Sequence, residues 1–189
     1  MELKVLKKDD IVNLMVQSKG GHLFTNRVKW DSLSGQDIDI DITAIVIGKD
    51  GKACGLCYYG NLNYENALIH SGDERTGVKA DWDEIITLDS SKLPEAVSKI
   101  VIISNIYAPK GLAFKNMRNF EVGIFDEETQ SPLATFLPSF EDNMANMGAV
   151  VLGEYVVHPS TKQLIFKALG EGYKDQYEIY ELYGLSYEK

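Results

Sequence analysis

Gly35-Gln36-Asp37-Ile38-Asp39-Ile40-Asp41 alternates acid and isoleucine and runs directly into the apolar stretch Ile42 to Ile47. Successive side chains of a β-strand point to opposite faces, so this pattern puts Asp37, Asp39 and Asp41 on one side and Ile38, Ile40 and Ile42 on the other. Isoleucine favours strands and aspartate avoids them. The stretch therefore predicts a strand with one face on a core and a row of carboxylates on the other. Alternate residues on a strand face lie about 7 Å apart, where two unit charges repel by about 0.6 kcal/mol in water and about 2.4 kcal/mol at an effective dielectric near 20. Such a row is tolerable when solvated and unfavourable when partly covered. Two readings follow: a solvated strand end, or a site for a hard cation such as calcium, which takes about 6–8 oxygen ligands.

The rest of the chain supplies more short strands. Leu3 and Val5, Leu23 to Trp30, Ala53 to Tyr59, Ala67 to His70, Ile85 to Leu88 and Lys99 to Tyr107 read as strands in the first part. Phe120 to Phe125, Ala134 to Leu137, Ala149 to His158 and Gln163 to Leu169 follow. Asp50-Gly51 is a hairpin turn pair joining the acidic strand to its successor. Ile11 to Val16 fits a short helix or a strand, and Asn61 to Asn66 reads as loop. Asp89 to Val97 reads as a capped short helix or turn. Tyr177, Tyr180, Glu181 and Tyr183 recur at helical spacing and predict a docked terminal helix over Lys174 to Leu185. Many short strands with few long helical patterns predict an all-β fold, an antiparallel β-sandwich of two packed sheets with short helices, in a single domain over 1–189.

Composition narrows the function classes. A length of 189 residues, 44% of them hydrophobic, is enough for a sizeable core. Twenty-eight acidic against nineteen basic residues give a net charge of −9, which disfavours direct nucleic-acid binding and anionic membrane surfaces. No apolar run reaches membrane-spanning length, and Met1 to Asp10 lacks the core of a secretory signal, so the expectation is a cytoplasmic protein with no membrane insertion. Cys54 and Cys57 are the two cysteines. On a strand their spacing puts the sulfurs on opposite faces, which suits neither a disulfide nor chelation and leaves buried structural cysteine as the default.

The aspartate strand is not an EF-hand loop, because Ile42 and Gly48 stand where that loop needs Gly and Glu. Further ligands would come from Asp31 just upstream and from Asp73, Asp81, Asp83 and Glu84 on the loop after the hairpin, since a sandwich gathers its loops at its ends. His70 could serve as a general base, and more often such a histidine is structural. Tyr58, Tyr59 and Tyr107 read first as core or rim aromatics. No Ser-His-Asp order, nucleophile elbow or phosphate-binding glycine loop stands out.

Trp30-Asp31, the Asp-x-Asp strand, Tyr59-Gly60-Asn61-Leu62, His70-Ser71-Gly72-Asp73-Glu74-Arg75-Thr76-Gly77, Asp83-Glu84 and the later Gly170-Glu171-Gly172-Tyr173 together resemble the TerD family of tellurium-resistance and stress-response proteins. The match in order and spacing covers residues 24 to 107; residues 1 to 23 and 108 to 160 match only in strand pattern. The resemblance implies a calcium-binding sandwich in a bacterial tellurite, oxidative or phage-stress setting. Its implied ligands are Asp31, Asp37, Asp39, Asp73, Asp81, Asp83 and Glu84, with Asp41 a ligand or a support to one. It implies a non-enzymatic role through partners, namely other stress-response or tellurium-resistance proteins, including a membrane-associated complex. Arg75 would hold the loop by pairing with a carboxylate, since a guanidinium cannot ligate a cation. Gly72 and Gly77 would take backbone angles closed to other residues. Where the family usually carries a glycine- and acid-rich tract, this chain reads Val78-Lys79-Ala80-Asp81-Trp82-Asp83-Glu84. Fewer anionic oxygens imply weaker calcium binding and weaken the case for a second ion. The alternatives are a magnesium- or manganese-dependent phosphoester hydrolase using the clustered carboxylates, and an interaction module whose ion site has decayed.

Overall fold

In the computed structural model, which describes residues 3–32, 37–77, 81–109, 111–138 and 144–186, the chain opens with two three-residue strands, β1 (Lys4–Leu6) and β2 (Ile11–Asn13). A single helical turn, α1 (Leu14–Gln17), continues directly from β2. The Asn13 side chain makes that switch by accepting the Val16 N–H at 3.2 Å. The ambiguous Ile11 to Val16 stretch is thus both strand and helix. Then come β3 (Leu23–Ser32), β4 (Asp39–Gly48), β5 (Ala53–Cys57), β6 (Asn63–Tyr64), β7 (Leu68–His70), β8 (Glu84–Asp89) and β9 (Val97–Ala108). The second half contributes β10 (Met117–Asp126), β11 (Ser131–Phe136), β12 (Ala149–Val157), β13 (Leu164–Tyr173) and the helix α2 (Gln176–Leu182). Short 3-10 turns at Ser90–Lys92 and Phe114–Asn116 complete the connections. No helix among the described residues is long and apolar enough to cross a membrane.

The strands form two sheets, ordered β1-β11-β10-β3-β8-β7-β6 and β2-β13-β12-β9-β4-β5. All neighbours are antiparallel except β1 and β11. Phe24, Val28 and Trp30 of the first sheet meet Ile40, Ile42, Ala44 and Val46 of the second in a shared buried core. This is the open β-sandwich that the strand pattern predicts. Two local readings change. Residues 61–66 hold β6 rather than a loop, because Glu65 and Asn66, with φ of 52° and 53°, turn it back onto β7. Both residues take positive φ, the Ala67 N–H donates to the Tyr64 carbonyl at 2.9 Å, and no Asn-Gly or Asp-Gly pair advertises the turn. Cys54 is exposed and Cys57 buried, both free; burial pushes the Cys57 thiol up to about 11.

The strand β4 is buried along its whole length on both faces. Ile40, Ile42, Ala44 and Val46 face the other sheet. On the outer face, Ile45 and Ile47 join Val101, Ile103, Ala149, Val151, Leu169 and Ile179 in a second apolar cluster closed by α2. Asp175 starts that helix by accepting the Tyr177 and Glu178 N–H groups. The strand begins at Asp39, not at Asp37: its ladder to β9 ends at the Asp39–Ala108 pair, and Pro109 beyond has no N–H to extend it. Asp37 therefore lies exposed ahead of the strand. The turn expected at 31–35 falls largely in residues outside those described, as do Val78, Lys79 and Ala80.

Ile179 is fully buried beneath α2. Truncation to alanine removes the contact that docks the helix, so Ile179→Ala is expected to lower stability by about 2–5 kcal/mol, measured by chemical denaturation.

Candidate metal centre

The outer face of β4 carries on past its apolar half into Thr43, Asp41 and Asp39. Tyr180 of α2 still reaches Thr43 with a side-chain hydrogen bond, and the loop following β7 stands over Asp41 and Asp39. Carboxylate oxygens of Asp39, Asp41 and Asp73 all lie within 4.8 Å of one another, and Asp39 and Asp41 are buried while Asp73 is exposed. Tyr59, Tyr107 and Arg75 complete the walls of a small cavity of about 160 Å³. Tyr59 packs edge-on against Tyr107, ring centroids 6.1 Å apart.

The position of the loop follows from how an exposed edge of β4 is satisfied. The short strand β5 pairs with β4 only from Ala44 to Ile47, which leaves the Ile42 peptide without a strand beside it. Two buried side chains take that place. Glu84 Oε2 accepts the Ile42 N–H at 2.8 Å, and His70 Nε2 lies 3.2 Å from the Ile42 carbonyl. His70 Nδ1 accepts the Gly72 N–H at 3.0 Å, so this nitrogen is the unprotonated one and Nε2–H donates to Ile42. Glu84 Oε1 accepts the Glu74 N–H at 3.2 Å, and the Glu74 carboxylate in turn accepts from both the backbone and the hydroxyl of Thr76. Asp73 is thereby held between two residues that are themselves tied to β4.

The two glycines close the loop. Gly72 sits at φ 104° and Gly77 at φ 62°, both in the left-handed region. A Cβ on Gly77 would come within 2.2 Å of Trp30 Nε1. That indole donates to the Ile38 carbonyl at 2.9 Å, and the Trp30 N–H is accepted by Asp83 Oδ2 at 3.0 Å. Trp30 therefore ties β3 to the residue just ahead of β4 and to the end of the loop.

Electrostatically the trio is under load. Burial raises the Asp39 carboxyl, Asp73 and Glu84 add repulsion, and the Arg75 guanidinium, Nε 3.7 Å from Asp39 Oδ2, offsets part of it. Burial, with repulsion from Glu84 and Asp39, pushes Asp41 up to about 7 despite a hydrogen bond from Asn105 Nδ2 at 3.2 Å. Asp39 Oδ1 is buried with no hydrogen-bond partner among the described residues. Leaving such an acceptor unpaired costs about 1–3 kcal/mol, more for a charged group. A hard divalent cation would answer all of this at once: three carboxylates offer the oxygen donors that calcium or magnesium prefers, and the orphaned oxygen would gain a partner. The residues present fit such an ion, with Asp39, Asp41 and Asp73 as its holders.

The remaining sequence candidates lie elsewhere. Asp31 accepts from Asn119 Nδ2 at 2.6 Å on the β10 side of β3. Asp37 and Asp81 are exposed. Asp83 and Glu84 are buried and spend oxygens on backbone N–H groups, as described above. None of these five shares the cluster formed by Asp39, Asp41 and Asp73 among the described residues. Asn105, which steadies Asp41 from the directly opposite position on β9, was not among the candidates. Its signal was the polar pair Ser104-Asn105 ending the apolar run of β9, with Ser104 Oγ also donating to the Asp41 carbonyl at 2.9 Å.

A two-sheet sandwich with a carboxylate trio over one strand end defines the class, and the comparisons supply the family. The TerD domain family matches residues 1–182, and the chain belongs to it. It is 26% identical to tellurium resistance protein TerD of Serratia marcescens over 152 residues, 76% of this chain and 77% of that protein. It is 28% identical over 163 residues to stress response protein SCP2 of Bacillus subtilis, covering 84% of this chain and 78% of that one. The crystal structure of a homologue of telluride resistance protein (TerD) from Streptomyces coelicolor superposes with a TM-score of 0.70 over 85% of this chain and 96% of its own, at 18% identity. That last likeness carries the fold.

Two outcomes are expected. A carboxyl whose folded pKa is raised keeps its proton longer in the native state, so it favours folding at low pH and loses that advantage as pH rises through the folded value. In chelator, denaturation at stepped pH should show Asp41 eroding stability from its ordinary 3.8 up to about 7, and Asp41→Asn should flatten this slope. Gly77→Ala, forced against Trp30 at a positive φ, should cost about 1–3 kcal/mol in the same assay.

Proposed function

We propose that this chain is a calcium-binding, non-enzymatic stress-response protein that acts through protein partners in the bacterial cytoplasm. The observation that carries the reading is the orphaned Asp39 Oδ1, buried beside Asp41 and Asp73. The names of the relatives, which speak of tellurium resistance and stress response, supply the setting. Bound calcium would tie the start of β4 to the loop carrying Asp73 and fix the shape of the surface around Tyr59 and Tyr107. Ligand affinity alone provides the means, since an ion that binds the folded state stabilises it by mass action. Other tellurium-resistance or stress-response proteins are the proposed partners, including a membrane-associated complex.

His70 is not placed to serve the hydrolase alternative as its base. His70 has both ring nitrogens engaged with backbone groups and is buried away from solvent. A general base needs a free nitrogen within reach of the proton it takes. One observation does favour the module with a decayed ion site: Arg75 already places a cation beside Asp39. Calorimetry separates the two readings, because a site satisfied by Arg75 gives no heat on calcium addition while the fold stays intact.

At calcium about 100-fold above Kd the gain is about 2.7 kcal/mol, equivalent to a rise in Tm of about 5–10 °C for a chain of this size. The rise should be reversed by chelator and absent in Asp39→Asn and Asp73→Asn. Arg75→Ala, which removes the competing internal cation, should tighten calcium binding in titration calorimetry. An unchanged Tm and no binding heat at millimolar calcium, in protein with native circular dichroism, would overturn the calcium reading.

A further inference from the structure

A second cavity opens beside the carboxylate site and has the opposite electrostatic character. It is a groove of about 780 Å³ between the end of β9, the turn that follows it and the start of α2. Pro109, Leu112, Tyr107 and Tyr177 give it apolar and aromatic walls, and Lys115 and Lys174 line it as well. We propose that this groove binds a small organic anion with an apolar or aromatic body.

Its size lies within the range of about 300–1,000 Å³ typical of small-molecule sites, and apolar walls with a few polar groups are the usual composition of such sites. The charge distribution decides the sign of the ligand. Neither lysine is paired with a carboxylate among the described residues; Lys115 Nζ instead donates to the neutral Asn146 Oδ1 at 2.9 Å. The acid that lines the groove, Asp175, has its Oδ1 engaged by the Tyr177 and Glu178 N–H groups at 3.1 and 3.2 Å. On a chain of net charge −9, the two exposed lysines outnumber the single carboxylate of Asp175 in this lining, and that local excess of positive charge beside an apolar hollow favours an anion. Tyr107, packed edge-on against Tyr59, is still 54% exposed, and Tyr177, packed against Tyr180, is 40% exposed, so part of each ring faces the groove's opening. Tyr107 lines both this groove and the carboxylate cavity, yet the two share no charged residue. The anion site therefore stands whether or not the carboxylates hold an ion.

The probe is 8-anilinonaphthalene-1-sulfonate, titrated by fluorescence into protein whose near-ultraviolet circular dichroism is native, with chelator and with Asp73→Asn to silence the carboxylate site. Saturable one-to-one binding is expected, displaced by phenylacetate but not by its neutral amide. Lys115→Glu with Lys174→Glu should weaken it about tenfold or more, as two lost attractions become repulsions. Lys115→Met with Lys174→Met, which keeps the apolar stems, should weaken it less but in the same direction. Tyr107→Ala should weaken it too. Absence of saturable binding, equal displacement by acid and amide, or indifference to both lysine pairs would overturn the proposal. Because the measurement runs without calcium, its failure leaves the calcium reading standing, and the converse also holds.

Discussion

The peptide group of Ile42 is the point on which the acidic end of this sandwich depends. Because β5 stops short, the N–H and C=O of Ile42 would face the interior unpaired, and a buried peptide without partners costs several kcal/mol. Glu84 and His70 supply the acceptor and donor that a neighbouring strand would have given. These two residues belong to the strands on either side of the loop bearing Asp73, so completing the edge of one sheet fixes a loop of the other. The same act that satisfies backbone chemistry delivers a third carboxylate to the two already on β4.

This arrangement explains why repelling groups can stand so close. Asp39 and Asp41 are fixed by β-pairing to β9, and Asp73 by the hydrogen bonds of its flanking residues to His70 and Glu84. These bonds fix the backbone of all three residues, while the exposed Asp73 side chain keeps its rotamer freedom. That conflict appears in the raised carboxyl pKa values of Asp39 and Asp41 and in one unpaired oxygen, and Arg75 offsets part of it. Rigid supports and an unsatisfied centre are what preorganisation of an ion site requires.

The two cavities share a wall at Tyr107, one lined mainly by carboxylates and the other by two lysines and one carboxylate. Both sit where β9 and β4 end, and the start of α2 walls the larger of them. The terminal helix covers the apolar part of that face, reaches Thr43 through Tyr180, and stops short of Asp39.

Much of this could be read from residues in order. The period-two pattern from Asp39 to Ile47 determined a strand with acid on one face, and the spacing of short apolar runs determined a sandwich. The family motif placed Asp73 and two left-handed glycines on one loop. What no sequence pattern could assign was the role of each acid, because carboxylates in one motif are chemically alike until their neighbours are known. Asp83 and Glu84 became acceptors for backbone N–H groups, Asp31 turned to Asn119, and Asp37 fell outside the strand because Pro109 ended its partner's ladder. Those outcomes depend on which peptide groups are left unpaired when sheets of unequal strand length are stacked, a property of the assembled fold and not of any local stretch.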